Sequence, residues 1–460
     1  MTLLDLILAP IFLLLIYLFA RYNVNKHIQE KSYYKYYIPG LLTKLFGGFC
    51  VCLIYTFYYK GGDTTNFYHS DLVMINLLNK SPQTFFSIMR GNFSTENYLM
   101  FDNDTGWPNY WYDHHTFFVV RITALICLLG FKSYLATTLL LAWFCFSGIW
   151  RLFNLFCELF PTLTRQFSIV IFYIPSVAFW GSGLLKDTIT LSAICWFTFC
   201  FYKCFIKKES FIWNFIYLII SAYLIVSIKA YILYALLPGA FLWITFSSLG
   251  NIENKIIRGL VAPFLLLGGS LSVFLLLQQL SSEMGKFNIN SILERAVITQ
   301  QDLVKDYYGG TTFDIGKFEP NIPSMLAKAP IAIISGLFRP FLWESNNPVM
   351  IFSSIENTVI IAFTIMTIIK LKLFNFITLL KKNPILIYSF SFALCFAFSV
   401  GLSTPNFGSL VRYRIPAIPF FLCSLILLRY YYDEKIKKRI LKAEIEEEDR
   451  LASKERFIIT

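Results

Sequence analysis

Charge is scarce in this chain. Lys, Arg, Asp and Glu make up 15% of its 460 residues, against 56% hydrophobic residues. A soluble domain carries about a quarter charged residues, so a soluble globular class is excluded. Histidine is rarer still, with four copies, and cysteine is missing from the two long polar segments, residues 60–115 and 281–348. The ten cysteines (Cys50, Cys52, Cys127, Cys145, Cys157, Cys195, Cys200, Cys204, Cys395 and Cys423) all lie in or beside apolar runs. That rules out a disulfide framework in the polar segments and suits small buried apolar side chains. A Walker loop, a Rossmann glycine fingerprint and a Gly-x-Ser-x-Gly elbow are absent as well, which leaves no nucleotide site and no hydrolase elbow to read. The net charge of +12 does not point to nucleic acid, and no such partner is expected. The Lys and Arg residues cluster at the ends of apolar runs, as membrane orientation requires.

What the chain has is apolar length. About 20 apolar residues cross a hydrocarbon core as a helix, and in lipid only helices or closed barrels satisfy the backbone. The runs here are too continuous for barrel strands. The expected fold is therefore all-α, a polytopic transmembrane bundle. Its spans fall at 3–20, 37–58, 133–150, 167–181, 188–204, 211–228, 231–247, 260–280, 350–369, 384–400 and 415–431. The first run has no basic residues before it and no small-x-small site after it, so it reads as a retained helix.

Basic clusters alternate with the spans. They are Arg21/Lys26/Lys31/Lys35, Arg151/Arg165, Lys203/Lys207/Lys208, Lys255/Arg258, Lys370/Lys372/Lys381/Lys382 and the tail from Lys435. The positive-inside rule sends them to the cytoplasm and sends 60–115, 181–187, 281–348 and 401–414 to the opposite face. Parity turns on 116–130, which is short and carries Arg121 mid-run, where a charge in lipid is costly. It reads as a re-entrant or interfacial helix; were it a full span, every later segment would change sides. The transmembrane domain is expected over 1–432 and a charged cytoplasmic tail helix over 433–460.

Five constellations lie on the outer face. In Lys60-Gly61-Gly62-Asp63 a glycine turn delivers Asp63 to the membrane boundary, where a carboxylate can act as a general base or hold a metal, unless it is simply a surface residue in an exit turn. The segment Trp107 to His115 adds aromatics suited either to a sugar ring or to an interfacial belt. Three of the four histidines, His69, His114 and His115, share the polar segment 60–115. With Asp63, Asp71 and Asp113 they form a candidate set for one divalent metal ion, the only cofactor expected. Pro175 and the glycines near Gly181 break an apolar run just before Lys186 and Asp187. Such a break belongs against protein or a cavity, with Lys186 suited to a phosphate; a plain helix boundary is the alternative. Arg339, Trp343 and Glu344 flank Pro340, either as a surface ion pair or as residues facing one pocket. Arg412 and Arg414 lead into the last span from the outer side, against the charge rule. They either snorkel to headgroups or bind phosphate bidentately.

Taken together, these are an acid, candidate metal ligands, phosphate-binding cations and aromatics at one face. With no nucleotide site, the energy must arrive in the substrate itself, and a membrane-borne phosphate leaving group supplies it. Gly62-Asp63, the run His114-His115-Thr116-Phe117-Phe118 with Arg121 after it, and Arg412-Tyr413-Arg414 ahead of Pro419 resemble the GT-C class of integral-membrane glycosyltransferases, of the bacterial surface-polysaccharide type. The resemblance implies a polyprenyl-phosphate-linked sugar donor and a glycan, lipid or protein acceptor. It implies Asp63 as the catalytic carboxylate, with Lys186, Asp187, Arg339, Trp343, Glu344, Arg412 and Arg414 against substrate. It also implies a place in the bacterial cytoplasmic membrane with the active face periplasmic or extracellular. Here Asp63 is followed by Thr64, where many relatives carry a second acid, and the tail is short. Three rivals stay open: a polysaccharide polymerase or ligase using pyrophosphate-linked oligosaccharides, a transporter of lipid-linked sugars, and a structural subunit of an envelope complex.

Overall fold

The computed structural model describes residues 2–250, 289–303, 312–380 and 383–459. The expected span at 260–280, the Lys255/Arg258 cluster, Lys381 and Lys382 lie outside the described residues, as does part of the 281–348 segment. Among the described residues the secondary structure is helical, apart from one isolated bridge between Thr312 and Asn406.

Eight helices are long and apolar enough to cross a membrane: Leu3–His27, Ser32–Tyr58, Tyr134–Leu159, Lys186–Lys207, Phe211–Lys229, Tyr231–Gly250, Pro348–Lys372 and Pro384–Ser403. Each covers an expected span. The chain is thus an all-α, multi-pass membrane protein. The run at 167–181 departs from expectation. It is two short helices, Thr164–Phe172 and Pro175–Trp180, parted at Tyr173-Ile174. Pro175 has no N–H to give the preceding turn, which is why the run breaks there. The last span also differs. Phe407–Tyr413 meets the long C-terminal helix at an angle of 62°, and that helix runs unbroken from Ala417 to Ile459. The expected tail is its direct continuation.

Polar contacts mark the two ends of the bundle. At one end Glu158 pairs with Lys203 at 3.0 Å and with Lys207. At the other, Asp5 caps its own helix through Thr2 N at 2.7 Å. It also accepts from Ser133 Oγ at 2.6 Å and Leu135 N at 3.1 Å. The buried Asp5 carboxylate is therefore saturated with donors and holds the first helix to the start of Tyr134–Leu159.

The polar segment 60–115 is largely helical. Asp63–Lys80, Pro82–Met89 and Thr95–Tyr98 form a cap at the Asp5 end. Trp111, an expected sugar-stacking or belt residue, is buried against Phe93, Phe101 and Phe117, so it is core of this cap. Tyr112 remains 84% exposed.

The ends of His114–Leu129 bear on the parity question. Near its start the Thr116 hydroxyl accepts from Lys186 Nζ at 2.7 Å. Just past its end the Lys132 carbonyl accepts from Tyr68 at 2.6 Å, and Ser133 meets Asp5. Both termini lie at the Asp63 end, so this unbroken helix lies across that end of the bundle and does not pass through it. Close backbone approach elsewhere needs glycine: a Cβ at Gly47 would overlap the Ala178 carbonyl of the broken segment.

Candidate active site

Lys60, Gly61 and Gly62 all have positive φ, at 54°, 147° and 121°. The chain leaves the second span, turns sharply and starts a new helix at Asp63. A Cβ on Gly62 would sit 2.9 Å from Tyr55 Cε1, so the turn requires glycine in both conformation and space. Asp63 stands at a helix N-terminus, where a carboxylate is favoured. Its side chain is 43% exposed. One oxygen pairs with Arg412 Nη1, and the other accepts from the Tyr110 hydroxyl at 3.3 Å. Burial foremost, and then the charge of Asp63, push the Tyr110 hydroxyl up to about 12. It stays protonated, and so a donor, throughout the neutral range.

Behind Asp63 lies a buried cluster. Asp187, 2% exposed, accepts from Arg412 Nε at 2.5 Å and Lys229 Nζ at 2.5 Å. Arg412 thus joins Asp63 to Asp187 with one guanidinium, and Lys229 completes the group over the Tyr413 ring at 4.3 Å. Lys186 is beside them in sequence but paired differently. Its amine donates to Thr116, whose hydroxyl donates to Asp113 Oδ2 at 2.5 Å. Among the described residues no carboxylate lies within ion-pair distance of Lys186. Asp63, Lys186, Asp187 and Arg412, drawn from four distant stretches of sequence, therefore converge.

The remaining expected substrate residues form a second group. Arg414 is fully buried. It donates to the backbone oxygens of Leu337 at 3.0 Å and Arg339 at 2.7 Å, and to Asn357 Oδ1. It is a packing clamp for the bend before the last helix, set apart from Arg412. Arg339 pairs with Glu344 at 3.4 Å and lies over the Phe313 ring at 4.7 Å. Trp343 is 81% exposed and stacks on Phe341. This is the ion-pair alternative of the sequence reading.

The expected metal ligands are dispersed. Asp71 is buried and accepts from the Thr123 hydroxyl at 2.7 Å; burial pushes its carboxyl well above the ordinary range. A carboxyl held in its neutral form is a poor metal ligand. His69 lies 3.4 Å from Asn109 Nδ2, Asp113 caps a helix, His114 packs on Phe93, and His115 Nδ1 lies 2.9 Å from Ser227 O. Among the described residues no group of three or more His, Cys, Asp or Glu comes together to hold a metal. These side chains do not fit a single ion, and no chemical step is routed through one.

Two residues of the cluster escaped the sequence reading as site members. Lys229 is the one charge between two adjacent apolar runs, a place that carries no motif. Tyr110 carried no signal beyond its place in an aromatic-rich segment. A third residue, Lys44, is buried within the second helix and donates to the Gly181 carbonyl of the broken segment. No known family's sequence profile matches the chain, and neither a curated protein nor a solved structure does.

Proposed function

We propose that this chain transfers a sugar from a polyprenyl-phosphate-linked donor to an acceptor hydroxyl at the outer face of a bacterial cytoplasmic membrane. The observation that carries the reading is a half-exposed carboxylate, Asp63, within electrostatic reach of a cation, Lys186, that has no carboxylate at ion-pair distance among the described residues. Asp63 takes the proton of the acceptor hydroxyl as the new bond forms between that oxygen and the anomeric carbon. The bond from the anomeric carbon to the phosphate oxygen breaks. Lys186, with the Nη1 arm of Arg412 released from Asp63, neutralises the departing phosphate. Asp187 and Lys229 hold Arg412 from behind and touch no substrate.

The test is transfer of radiolabelled sugar from polyprenyl phosphate in membranes, comparing parent with Asp63→Asn. Loss of about two powers of ten or more is expected for removal of a general base. Equal rates remove Asp63 from the chemistry.

A second reading, passage of a lipid-linked sugar across the bilayer, is favoured by Lys44. An ionisable group inside a span marks a transport path by default, and its partner here is a broken helix. Translocation in liposomes without any transfer, abolished by Lys44→Met, selects that reading.

A further inference from the structure

Two recesses lie one above the other along Phe211–Lys229, and His114–Leu129 helps to wall both; Tyr134–Leu159 and Lys186–Lys207 close the lower one. His115 meets Ser227, with Nδ1 2.9 Å from its carbonyl oxygen, and Phe118 meets Tyr223 with ring centroids 5.6 Å apart. The upper recess, about 400 Å³, is lined by Arg121, His114, His115, Phe118 and Tyr223 among others, and by no acid. Arg121 donates to the Met89 carbonyl. It has no carboxylate partner among the described residues, and its buried Nε lacks any hydrogen-bond partner. One turn deeper, the second cavity holds about 450 Å³. Its walls include Ile122, Ile126, Ile189, Ile220 and Leu224, and among the described residues no charged one lines it. Both volumes fall within the range of small-molecule sites. The two are neighbours along both helices. Arg121 faces the upper and Ile122 the lower; Tyr223 faces the upper and Leu224 the lower. Their flank is lipid-facing in character, with Leu125, Leu129, Ile219 and Tyr223 between 46% and 58% exposed.

A cation with an uncommitted valence above an uncharged apolar cavity, beside a flank of exposed apolar side chains, matches one chemistry: an anionic head on a hydrocarbon chain. We propose that this groove binds an anionic membrane lipid, its phosphate at Arg121 and His114 and its chain against Ile122, Ile126 and Leu224. The site is separate from the Asp63–Arg412 cluster and does not rest on its chemistry. Arg121 thereby has a reason to sit where a bare charge would be costly: the lipid phosphate supplies its counter-ion.

The test is native mass spectrometry of the full chain released from mixed phosphatidylcholine–phosphatidylglycerol nanodiscs. The parent should retain phosphatidylglycerol in preference to phosphatidylcholine. Arg121→Met should lose that preference about tenfold, the value of one charged hydrogen bond, while Arg121→Lys keeps most of it. Arg121→Gln, which can still donate to Met89, must lose it too and guards against collapse of the methionine variant. Ala193→Phe, filling the lower cavity, should lower retention of both lipids. No preference in the parent, or equal preference in Arg121→Gln, overturns the proposal. Complete displacement of the lipid by inorganic phosphate also overturns it and assigns the recess to a soluble anion.

Discussion

Asp187 is the most consequential single carboxylate in the described structure, and Asp187→Asn is the sharpest test of the cluster. The substitution keeps the shape and removes the charge. Lys229 and Arg412 each lie 2.5 Å from this carboxylate, and the three side chains are 11%, 10% and 2% exposed, Asp187 being the last. Breaking a buried pair by removing one partner costs about 3–5 kcal/mol, because the other charge stays desolvated. Two cations lose a partner here, but Arg412 keeps Asp63. The expected loss is therefore about 3 kcal/mol, roughly two powers of ten in the folding equilibrium, and it falls mainly on Lys229. The chain carries its own probe: eight of its ten cysteines are buried, and the other two are half-buried. A thiol-reactive dye in detergent reports unfolding as they emerge. Lys229→Met should cost less than Asp187→Asn, since Arg412 still neutralises Asp187. The double variant should cost clearly less than the two singles added together. Parent-like stability of Asp187→Asn, or strict additivity in the double variant, would refute the electrostatic account.

Asp71 should give the opposite sign. Its folded carboxyl is raised by burial, so above about pH 3.9 it holds a proton that the unfolded chain gives up. Stability falls as pH rises through that window. Asp71→Asn should stabilise the protein near neutral pH and flatten the profile, read by the same dye assay; a steeper profile would be decisive against this. Arg414→Met strands Asn357 and two carbonyls, and should cost about 2–4 kcal/mol without altering donor affinity in whatever fraction folds. Arg412→Lys should instead fold and weaken donor binding, measured as a rise in KM, because an ammonium cannot reach two carboxylates as a planar fork does. Gly62→Ala should reduce activity and stability together, since a methyl there meets Tyr55 in a left-handed turn; unchanged melting and turnover would argue that the turn relaxes freely.

Much of the fold was legible because lipid leaves few options. Run length and charge placement located eight of the helices, and a short run with a central arginine marked the helix that starts and ends at one side of the bundle. What escaped was the fate of runs interrupted by proline and the unbroken passage of the last helix into its tail. Hydropathy does not register a kink, nor a change of surroundings along a continuous helix. At the site, Asp63, Lys186, Asp187 and Arg412 were readable as polar residues stranded beside apolar runs. Arg414 misled because it shares that signature, yet its donors face carbonyls, and backbone acceptors leave no mark in side-chain pattern. The histidines misled similarly. Proximity along one segment brought them together on paper, whereas the helices of the cap turn His69 and His114 to different neighbours.

The bend before the last helix has a mechanical meaning. Arg412 stands at the elbow end of a seven-residue arm set at 62° to the long C-terminal shaft. Only about 3 Å of helix rise separates it from that elbow, so a rotation there turns its side chain directly, and hydrogen-bond geometry tolerates little turning. Arg414 grips that elbow through three oxygens. The aim of one arginine is thus set by the bolt two residues behind it, and loosening the bolt would be felt first not in the packing but in which carboxylate Arg412 can still reach.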